Sequence, residues 1–550
     1  MNSPRNSAEF AANPSSSDER EIDSRCEPVE SFGEWVTPAQ FQSSANRPPQ
    51  RQGTARVSIL FPSPDVDPNR GPLHRLHNMP GKPLRIMKFG GTSVGDASCI
   101  RRVITIIEAA SRTDQVVAVV SAMGGVTNKL IEAATRAAAR DATPVASVFH
   151  DLREQHEAAA LALIHSVGAR KCLIEQILKL IDEGNRSCRE VMGLRQLTPA
   201  ARDAIAGLGE RLSAPIVAAA LSQSGVPSDA IEATELVVTN SRHGAAEPWM
   251  DLTRERCLER LGSRLRQGVV PVVTGFIGAT VEGIPTTLGR GGSDYSATIL
   301  GAALDADEIV IWKDVDGVLT ADPRFVPDAD TIPETSYQEV ANLTRFGAKV
   351  LHPGTLLPLM KSGIPVWIRN TFAPERSGTR ITPEGPRRGA AKVLTSTSDV
   401  ALITLSQPCS AKLQDALATM LADIAAGRPG LLLVVRSSQM EDTCLVVSSE
   451  LVEYIVDTLR CELVRGAASE CPGSITVNRD IALVTVVGPN GQEAPAMTRR
   501  TLDTLALEGV EILEVSQNSS QCSISFVVAR EALNVALTTA HREFQLRLRK

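Results

Sequence analysis

The stretch LRIMKFGGTSVGD, residues 84–96, places a lysine and two adjacent glycines directly after a short apolar run. The apolar run LRI is typical of a buried strand. A glycine-rich turn between a strand and a helix lets backbone N–H groups approach an anion, and Lys88 adds a positive charge there. Because the lysine precedes the glycines, this is not the usual P-loop pattern. A phosphate site and a tight structural turn both remain open at this point.

A second glycine-rich stretch, TTLGRGGSDYSA at 286–297, also ends a strand-like segment and opens a helical one. Two such loops at strand ends, about 200 residues apart, favour a pocket with two anion-binding sides. Arg290 is suited to bind a carboxylate through two parallel hydrogen bonds, and Asp294 to orient a lysine or accept an ammonium group. The alternative is a simple turn in which Asp294 starts a helix.

Between these two stretches and beyond them, apolar strands alternate with helical segments. Strands are predicted at 115–122, 269–278 and 307–318, and a helix at 127–142. Short Val/Ile-rich runs that alternate with Ala/Leu-rich helices predict a largely parallel sheet covered on both faces. Ligands of such sheets bind at the carboxyl ends of the strands, where the glycines and charges fall.

The last third of the chain contains an internal repeat. DVALITLS at 399–406 recurs as DIALVTVV at 480–487, and each copy has the pattern strand, helix, strand, strand, helix. Two copies are too few for a solenoid, so the pattern predicts two small α+β modules. The predicted domains are an extension without an apolar core at 1–82, an α/β domain at 83–382, a linker at 383–392, and modules at 393–467 and 476–548.

Composition argues against several classes of protein. A net charge of −6 and an aromatic content of 3% disfavour a nucleic-acid surface. No uninterrupted apolar run reaches the roughly 18 residues of a membrane span. The ten cysteines include no Cys-x-x-Cys pair, which predicts reduced thiols and a cytoplasmic location. Residues 1–82 lack a secretory signal core and carry acidic residues that disfavour a transit peptide, and a start at Met79 is an open alternative.

Six motifs occur in the order found in aspartate kinases: KFGGTSV, VVSAMGGVTN, GLGERLSAP, TTLGRGGSD, IWKDVDGVLTADPR and FGAKVLHP. The chain resembles that family from about Leu84 to its end, and the repeated modules resemble the paired ACT domains of the same enzymes. The resemblance implies an amino-acid-kinase-like three-layer domain with a parallel sheet, followed by two ferredoxin-like ACT modules. It also implies phosphorylation of the β-carboxylate of L-aspartate by ATP, the first step towards lysine, threonine and methionine.

The resemblance assigns roles to individual residues. The residues implied in catalysis are Lys88, Asp294 and Lys349. Those implied in aspartate binding are Ser121, Thr127, Glu210, Phe276, Arg290 and Ser293. Those implied in ATP binding are Lys88, Gly90, Gly91, Ser93, Lys313, Asp314, Arg324 and Lys349. Those implied in effector binding are Gln517, Asn518 and Ser519. The chain departs from the family near the nucleotide, with Leu319 in place of a frequent Tyr and Lys313 in place of a common Thr.

Mg²⁺ is expected on the phosphates of ATP, without a metal site built from protein side chains. The ACT-like modules imply feedback by lysine or threonine and a homodimer or larger assembly. Because the chain ends at EFQLRLRK, no fused homoserine dehydrogenase is expected. One alternative is another acid kinase of the same fold, acting on glutamate, N-acetylglutamate or a nucleoside monophosphate. The other is a catalytically silent amino-acid sensor, which the retained charged residues Lys88, Glu210, Arg290, Asp294 and Lys349 disfavour.

Overall fold

The computed structural model describes residues 82–348, 350–385, 393–406, 431–436, 443–466, 474–488, 494–518 and 523–548. Apart from Lys82, the predicted extension at 1–82 lies outside these residues. So do Lys349, Ser519 and most of the predicted linker at 383–392.

The described part of the chain alternates strands and helices, with the bounds that follow. The strands are β1 Leu84–Phe89, β2 Gln115–Val120, β3 Ser228–Ile231, β4 Val270–Thr274, β5 Ile277–Ala279, β6 Pro285–Thr287, β7 Glu308–Lys313, β8 Glu334–Ser336, β9 Val366–Asn370, β10 Thr379–Thr382, β11 Val393–Thr397, β12 Val400–Ser406, β13 Leu431–Arg436, β14 Thr443–Ser448, β15 Ser474–Asn478, β16 Ile481–Val487, β17 Ile512–Asn518 and β18 Ser523–Ala529. The helices are α1 Ala97–Ser111, α2 Val126–Ala138, α3 Ala142–Leu163, α4 Val167–Leu194, α5 Pro199–Ala206, α6 Leu208–Gln223, α7 Met250–Arg266, α8 Gly292–Ala303, α9 Tyr337–Arg345, α10 Val452–Gly466, α11 Ala494–Leu507 and α12 Leu533–Leu548. Short 3₁₀ helices cover Ala233–Glu235, Pro353–Leu359, Ser449–Leu451 and Arg530–Ala532.

The larger domain is built on an eight-stranded sheet in the order β3-β4-β2-β1-β7-β9-β10-β8. The first six strands in this order are parallel, and β10 pairs antiparallel with β9. One apolar core packs α1 to α6 against one face of the sheet, and a second packs α7 to α9 against the other. The predicted three-layer α/β architecture is confirmed.

Side chains of β1 alternate between the two cores, as the two-residue period of a strand requires. Leu84 and Ile86 face the layer that contains α8, whereas Met87 and Phe89 face the layer that contains α1. Lys88 continues the series of Leu84 and Ile86, so its ammonium group is directed towards α8.

The strand predicted at 269–278 is interrupted in the structure. It ends with β4 at Thr274, and Phe276 has a positive φ of 68° before β5 begins a separate two-stranded sheet with β6. A positive φ is costly for an aromatic residue. Two hydrogen bonds hold it, from Phe276 N to Ser296 Oγ at 2.9 Å and from Leu288 N to Phe276 O at 2.9 Å.

The last third forms two four-stranded antiparallel sheets, in the orders β13-β14-β12-β15 and β11-β16-β18-β17. The second copy shows the predicted pattern of strand, helix, strand, strand and helix in β16, α11, β17, β18 and α12. The predicted division at 393–467 and 476–548 differs from the structure in two strands. β11 pairs with β16 of the second module, and β15 pairs with β12 of the first.

β11 also attaches the second module to the larger domain. Leu394 N donates to Thr320 O at 2.8 Å, and Thr395 Oγ1 donates to Phe346 O at 3.3 Å. Ala321 and Val326 of the larger domain are buried in the core of the second module. The segment that follows β7 is therefore part of two cores.

The stretch Pro199–Gln223, which contains α5 and α6, is long and apolar enough to cross a membrane by composition alone. In the fold, 83% of its most apolar window is buried. A mostly buried helix of this kind is typical of the core of a soluble protein.

Candidate functional site

A cleft of about 540 Å³ opens at the carboxyl ends of β1, β2, β4 and β7. Its lining comes from several loops and helix starts that are distant in sequence. These residues are Lys88, Gly90, Gly91, Thr92, Ser121, Ala122, Met123, Gly124, Gly125, Thr127, Asn128, Glu210, Phe276, Gly289, Arg290, Gly291, Gly292, Ser293, Asp294, Lys313 and Asp314. The volume is in the range of small-molecule sites.

A buried carboxylate between two lysines forms one wall of the cleft. Asp294, in the first turn of α8, is 2.6 Å from Lys88 Nζ through Oδ1 and 3.1 Å from Lys313 Nζ through Oδ2. Lys313 Nζ also donates to Val350 O at 2.5 Å. Three charged groups with a net charge of +1 are thus fixed in one place, which suits the binding of an anion.

The pKa of Asp294 reports this arrangement. Burial acts to raise the pKa of the carboxyl group, but the ammonium groups of Lys88 and Lys313 outweigh burial and lower it to about 2. Asp294 is therefore ionised at neutral pH and holds both lysines in place.

Two glycine pairs, Gly90 with Gly91 and Gly124 with Gly125, line the cleft near Lys88. A Cβ atom on Gly91 would lie 3.0 Å from Ala122 O, so the turn after β1 passes too close to the segment after β2 for a larger residue. Gly124 and Gly125 precede α2, whose first turn lies at the cleft. The N-terminus of a helix has free N–H groups and a partial positive charge, and both favour an anion.

Glu210, in the first turn of α6, is the second buried carboxyl group of the cleft. It is 3% exposed, and its Oε2 atom has no hydrogen-bond partner among the described residues. Burial raises the pKa of Glu210 to about 8, against the lowering effects of two backbone N–H groups, of Ala122 and Glu210, and of the Lys88 charge. An unpartnered carboxyl oxygen in a cleft is suited to receive a cationic ligand group.

This pKa predicts a pH-dependent stability. Below the ordinary pKa of 4.5 the group is protonated in both the folded and unfolded states, whereas between 4.5 and about 8 only the folded state keeps the proton. The stability of the wild type should therefore fall as pH rises through this window. Glu210→Gln removes the titration, so its melting temperature relative to wild type should increase from about pH 5 to about pH 8. A constant difference across this range would contradict the prediction.

Arg290 also lines the cleft; it lies in the loop between β6 and α8 and is exposed. The loop passes close to the segment after α9, because a Cβ atom on Gly291, with φ of 73°, would lie 2.8 Å from His352 Cβ. Burial and then the Arg290 charge lower the pKa of His352. Phe276 also lines the cleft here, held by the hydrogen bonds described above.

The structure brings together most of the residues that the sequence indicated. In the cleft lining are Lys88, Gly90, Gly91, Ser121, Thr127, Glu210, Phe276, Arg290, Ser293, Asp294, Lys313 and Asp314. Ser93 lies behind the glycine turn, fully buried, with its Oγ 2.7 Å from Thr371 Oγ1. Arg324 is outside the lining and pairs with Asp322 at 2.5 Å. Ser93 and Arg324 are thus not positioned for direct contact in this conformation.

Four further predicted site residues are not placed in the cleft lining. Lys349 and Ser519 lie outside the described residues, although Val350 next to Lys349 contacts Lys313. Gln517 is exposed near the end of β17, and Asn518 ends that strand. Their roles stay predictions.

Asn128, Gly124 and Gly125 line the cleft but were not predicted as individual site residues, although all three belong to the motif VVSAMGGVTN. A polar residue and two glycines at the start of a predicted helix were the available signal. Asp203 was not predicted either; it is buried, lies outside the cleft lining and accepts hydrogen bonds from Thr287, which is 84 positions later in sequence.

Two parts of the chain match known family models. Residues 83–370 match the amino acid kinase family, and residues 484–544 match an ACT domain.

The chain is similar both to proteins of about its own length and to proteins about twice as long. Aspartokinase 1 of Arabidopsis thaliana, a chloroplast protein, is 30% identical over 84% of this chain and 80% of its own length. The aspartokinase of Schizosaccharomyces pombe is 29% identical over 85% of this chain and 94% of its own. The chain spans about half the length of the bifunctional relatives it matches. One of them, the chloroplast bifunctional aspartokinase/homoserine dehydrogenase 2 of Zea mays, is 30% identical over 84% of this chain and 50% of its own length.

Solved structures show the same arrangement. Escherichia coli aspartokinase III in complex with aspartate and ADP, in its R-state, aligns with a TM-score of 0.70 and 27% identity, covering 84% of this chain and 99% of the other. The same enzyme with lysine and aspartate, in its T-state, aligns with a TM-score of 0.66 over the same shares.

Proposed function

The chain belongs to the amino acid kinase family and, within it, to the aspartokinases, and from this membership we propose that it transfers the γ-phosphoryl group of ATP to the β-carboxylate of L-aspartate. The observation that carries the proposal is the pairing, in one cleft, of a phosphate-type wall with an amino-acid-type wall. Lys88, Asp294 and Lys313 form the first wall, and Glu210 and Arg290 form the second, with a carboxyl group suited to an ammonium group and a guanidinium group suited to a carboxylate.

The reaction requires two anions to meet. The β-carboxylate of aspartate, with an ordinary pKa of about 4, is ionised at neutral pH and needs no general base. One of its oxygens attacks the γ-phosphorus, the bond to the β,γ-bridging oxygen breaks, and ADP leaves with that electron pair. Catalysis then depends on placing the reactants and neutralising their charge.

The groups that neutralise this charge are on the first wall. Lys88 and Lys313 are held by Asp294, and residues of the glycine turn after β1 and of the start of α2 line the same cleft. Mg²⁺ bound to the phosphates of ATP would withdraw negative charge from them. Asp314, an exposed carboxylate in the lining, would be the side chain available to contact it.

The second wall orients aspartate. Glu210 binds the ammonium group, and Arg290 binds the α-carboxylate. The other lining residues proposed for this substrate are Ser121, Thr127, Phe276 and Ser293. Because Glu210 gives up its proton when a cation binds beside it, aspartate binding should release a proton near neutral pH.

Regulation and assembly are also part of the proposal. The T-state relative described above holds lysine, and the two ACT-type modules of this chain suggest a lysine or threonine effector. Pairing of modules across chains would give a homodimer or larger assembly.

An assay that traps the acyl phosphate as a hydroxamate tests the activity. ATP and Mg²⁺ with L-aspartate should give product, whereas glutamate, N-acetylglutamate and nucleoside monophosphates should give much less. Adding lysine, threonine or both measures regulation in the same assay. Turnover of another acceptor in preference to aspartate would overturn the proposed substrate.

Arg290→Ala should raise the KM for aspartate by about 10- to 150-fold, because a charge-assisted hydrogen bond of roughly 1.5–3 kcal/mol is lost. Since the interaction is made in the ground state and the transition state alike, kcat should change little. Steady-state kinetics with ATP held saturating measure both constants. Arg254→Ala is the control, because Arg254 pairs with Asp305 at the other end of α8. An unchanged KM in Arg290→Ala would exclude Arg290 from aspartate binding.

A further inference from the structure

Asp203 is a buried carboxylate that none of the assigned roles uses. It lies in α5 and is 3% exposed. Its two oxygens accept four hydrogen bonds, from His243 Nδ1 at 2.9 Å, Gly244 N at 3.0 Å, Thr287 N at 3.0 Å and Thr287 Oγ1 at 2.7 Å. Every donor comes from outside α5, so the carboxylate connects three separate segments.

One of these connections leads to Glu210. Gly207 N donates to Asp203 O at 2.9 Å at the end of α5, and α6 begins at the next residue with Glu210 in its first turn. The carbonyl group of Asp203 therefore anchors Gly207, the residue between the two helices, three positions before Glu210.

The other connection leads to Arg290. Thr287 is the last residue of β6, and the chain reaches Arg290 three residues later. The same loop is supported by Gly244, because a Cβ atom on Gly289 would lie only 2.9 Å from Gly244 O. Asp203 thus holds both the strand before Arg290 and the segment against which its loop packs.

We propose that Asp203 is a positioning residue that fixes the spacing between Glu210 and Arg290, the two groups that bind the ammonium and α-carboxylate ends of the acceptor. This inference deepens the proposed function and rests on it. A ligand bound at both ends requires the correct spacing, whereas a ligand bound at one end does not. Small errors in such placement are costly to binding and catalysis.

Thr287 and its neighbour Thr286 offer a matched pair of variants. Both side chains are buried, and each makes one hydroxyl hydrogen bond of 2.7 Å, Thr287 with Asp203 and Thr286 with Thr239. Thr287→Val removes the bond to Asp203, and Thr286→Val removes a comparable bond on the other side of the strand. Thr287→Ser keeps the hydroxyl group and serves as the rescue variant.

The experiment measures dissociation constants by calorimetry on the full-length protein, with L-aspartate and with succinate, which lacks the ammonium group. Thr287→Val should weaken aspartate binding about tenfold and leave succinate binding within about twofold of wild type. Thr286→Val and Thr287→Ser should bind both ligands as wild type does. In steady-state assays the KM for aspartate should rise in Thr287→Val while the KM for ATP stays constant.

Equal loss of both ligands in Thr287→Val, or equal loss of aspartate in Thr286→Val, would overturn the inference, because either outcome indicates general damage. Unchanged aspartate binding in Thr287→Val would also overturn it. If the wild type binds aspartate without phosphorylating it, only the proposed function is overturned. The comparison of aspartate and succinate binding among the variants would still decide the role of Asp203. A wild type that does not bind aspartate would overturn both.

Discussion

Lys88→Ala should lower kcat about 100-fold and change the KM for aspartate by less than about threefold. Lys88 Nζ is held 2.6 Å from Asp294 beside the glycine turn, where the proposed phosphoryl transfer would shift negative charge. A group that acts mainly on the moving charge stabilises the transition state more than the ground state, so its loss appears in kcat. The measurement is steady-state kinetics with both substrates varied.

The control for this variant is Lys129→Ala. Lys129 is a partly exposed lysine of α2 that pairs with Asp151 at 3.7 Å, outside the cleft lining. Its removal should leave kcat within about twofold of wild type, because exposed ion pairs contribute little. If Lys88→Ala keeps the wild-type kcat, Lys88 has no part in the reaction.

Asp294→Asn should reduce the free energy of unfolding by about 3–5 kcal/mol, because it leaves the buried ammonium group of Lys88 and the partly buried one of Lys313 without a counter-charge. Activity should fall as well, since both lysines lose the carboxylate that fixes them beside each other. The contribution of Asp294 is present above its ordinary pKa of 3.8 and is lost as pH falls towards about 2. Urea unfolding of wild type and variant at neutral pH and near pH 3 measures the loss of stability and its pH dependence.

Two further variants make this test specific. Asp305→Asn, at the other end of the helix that carries Asp294, removes an exposed pair with Arg254 and should cost about 1 kcal/mol or less. Adding Lys313→Met to Asp294→Asn removes one of the two unpaired cations and should restore part of the lost stability. An additive loss in the double variant would show that the three charges do not act as a unit.

Much of the fold could be predicted because its signals are local. Short Val/Ile-rich strands such as 115–120 are defined by composition and length, and their alternation with helices leads to a parallel sheet. The interruption at Phe276 could not be predicted, since an aromatic residue gives no local signal for a positive φ. The exchange of β11 and β15 was equally hidden, because repeat periodicity identifies copies but not the partner of an edge strand.

The candidate site shows the same limit. Lys88, Arg290 and Asp294 stood out because charge next to glycine at a strand end has a chemical meaning of its own. The prediction that Asp294 orients a lysine agrees with its two ion pairs, to Lys88 and Lys313, and the role of Lys313 at the nucleotide stays a prediction. Asp203 carried no signal, because an acidic residue in a helix is ordinary until its partners are known.

The strand β11 makes the two terminal modules nested instead of consecutive. Since β11 precedes the first module yet pairs with β16 in the sheet of the second, this pairing cannot form until synthesis has passed Val487. A fragment cut between the modules would leave the apolar residues Val393 and Leu394 without the sheet that buries them. Workable fragments should therefore be divided upstream of Val393, and the first module should be removable only as an internal excision.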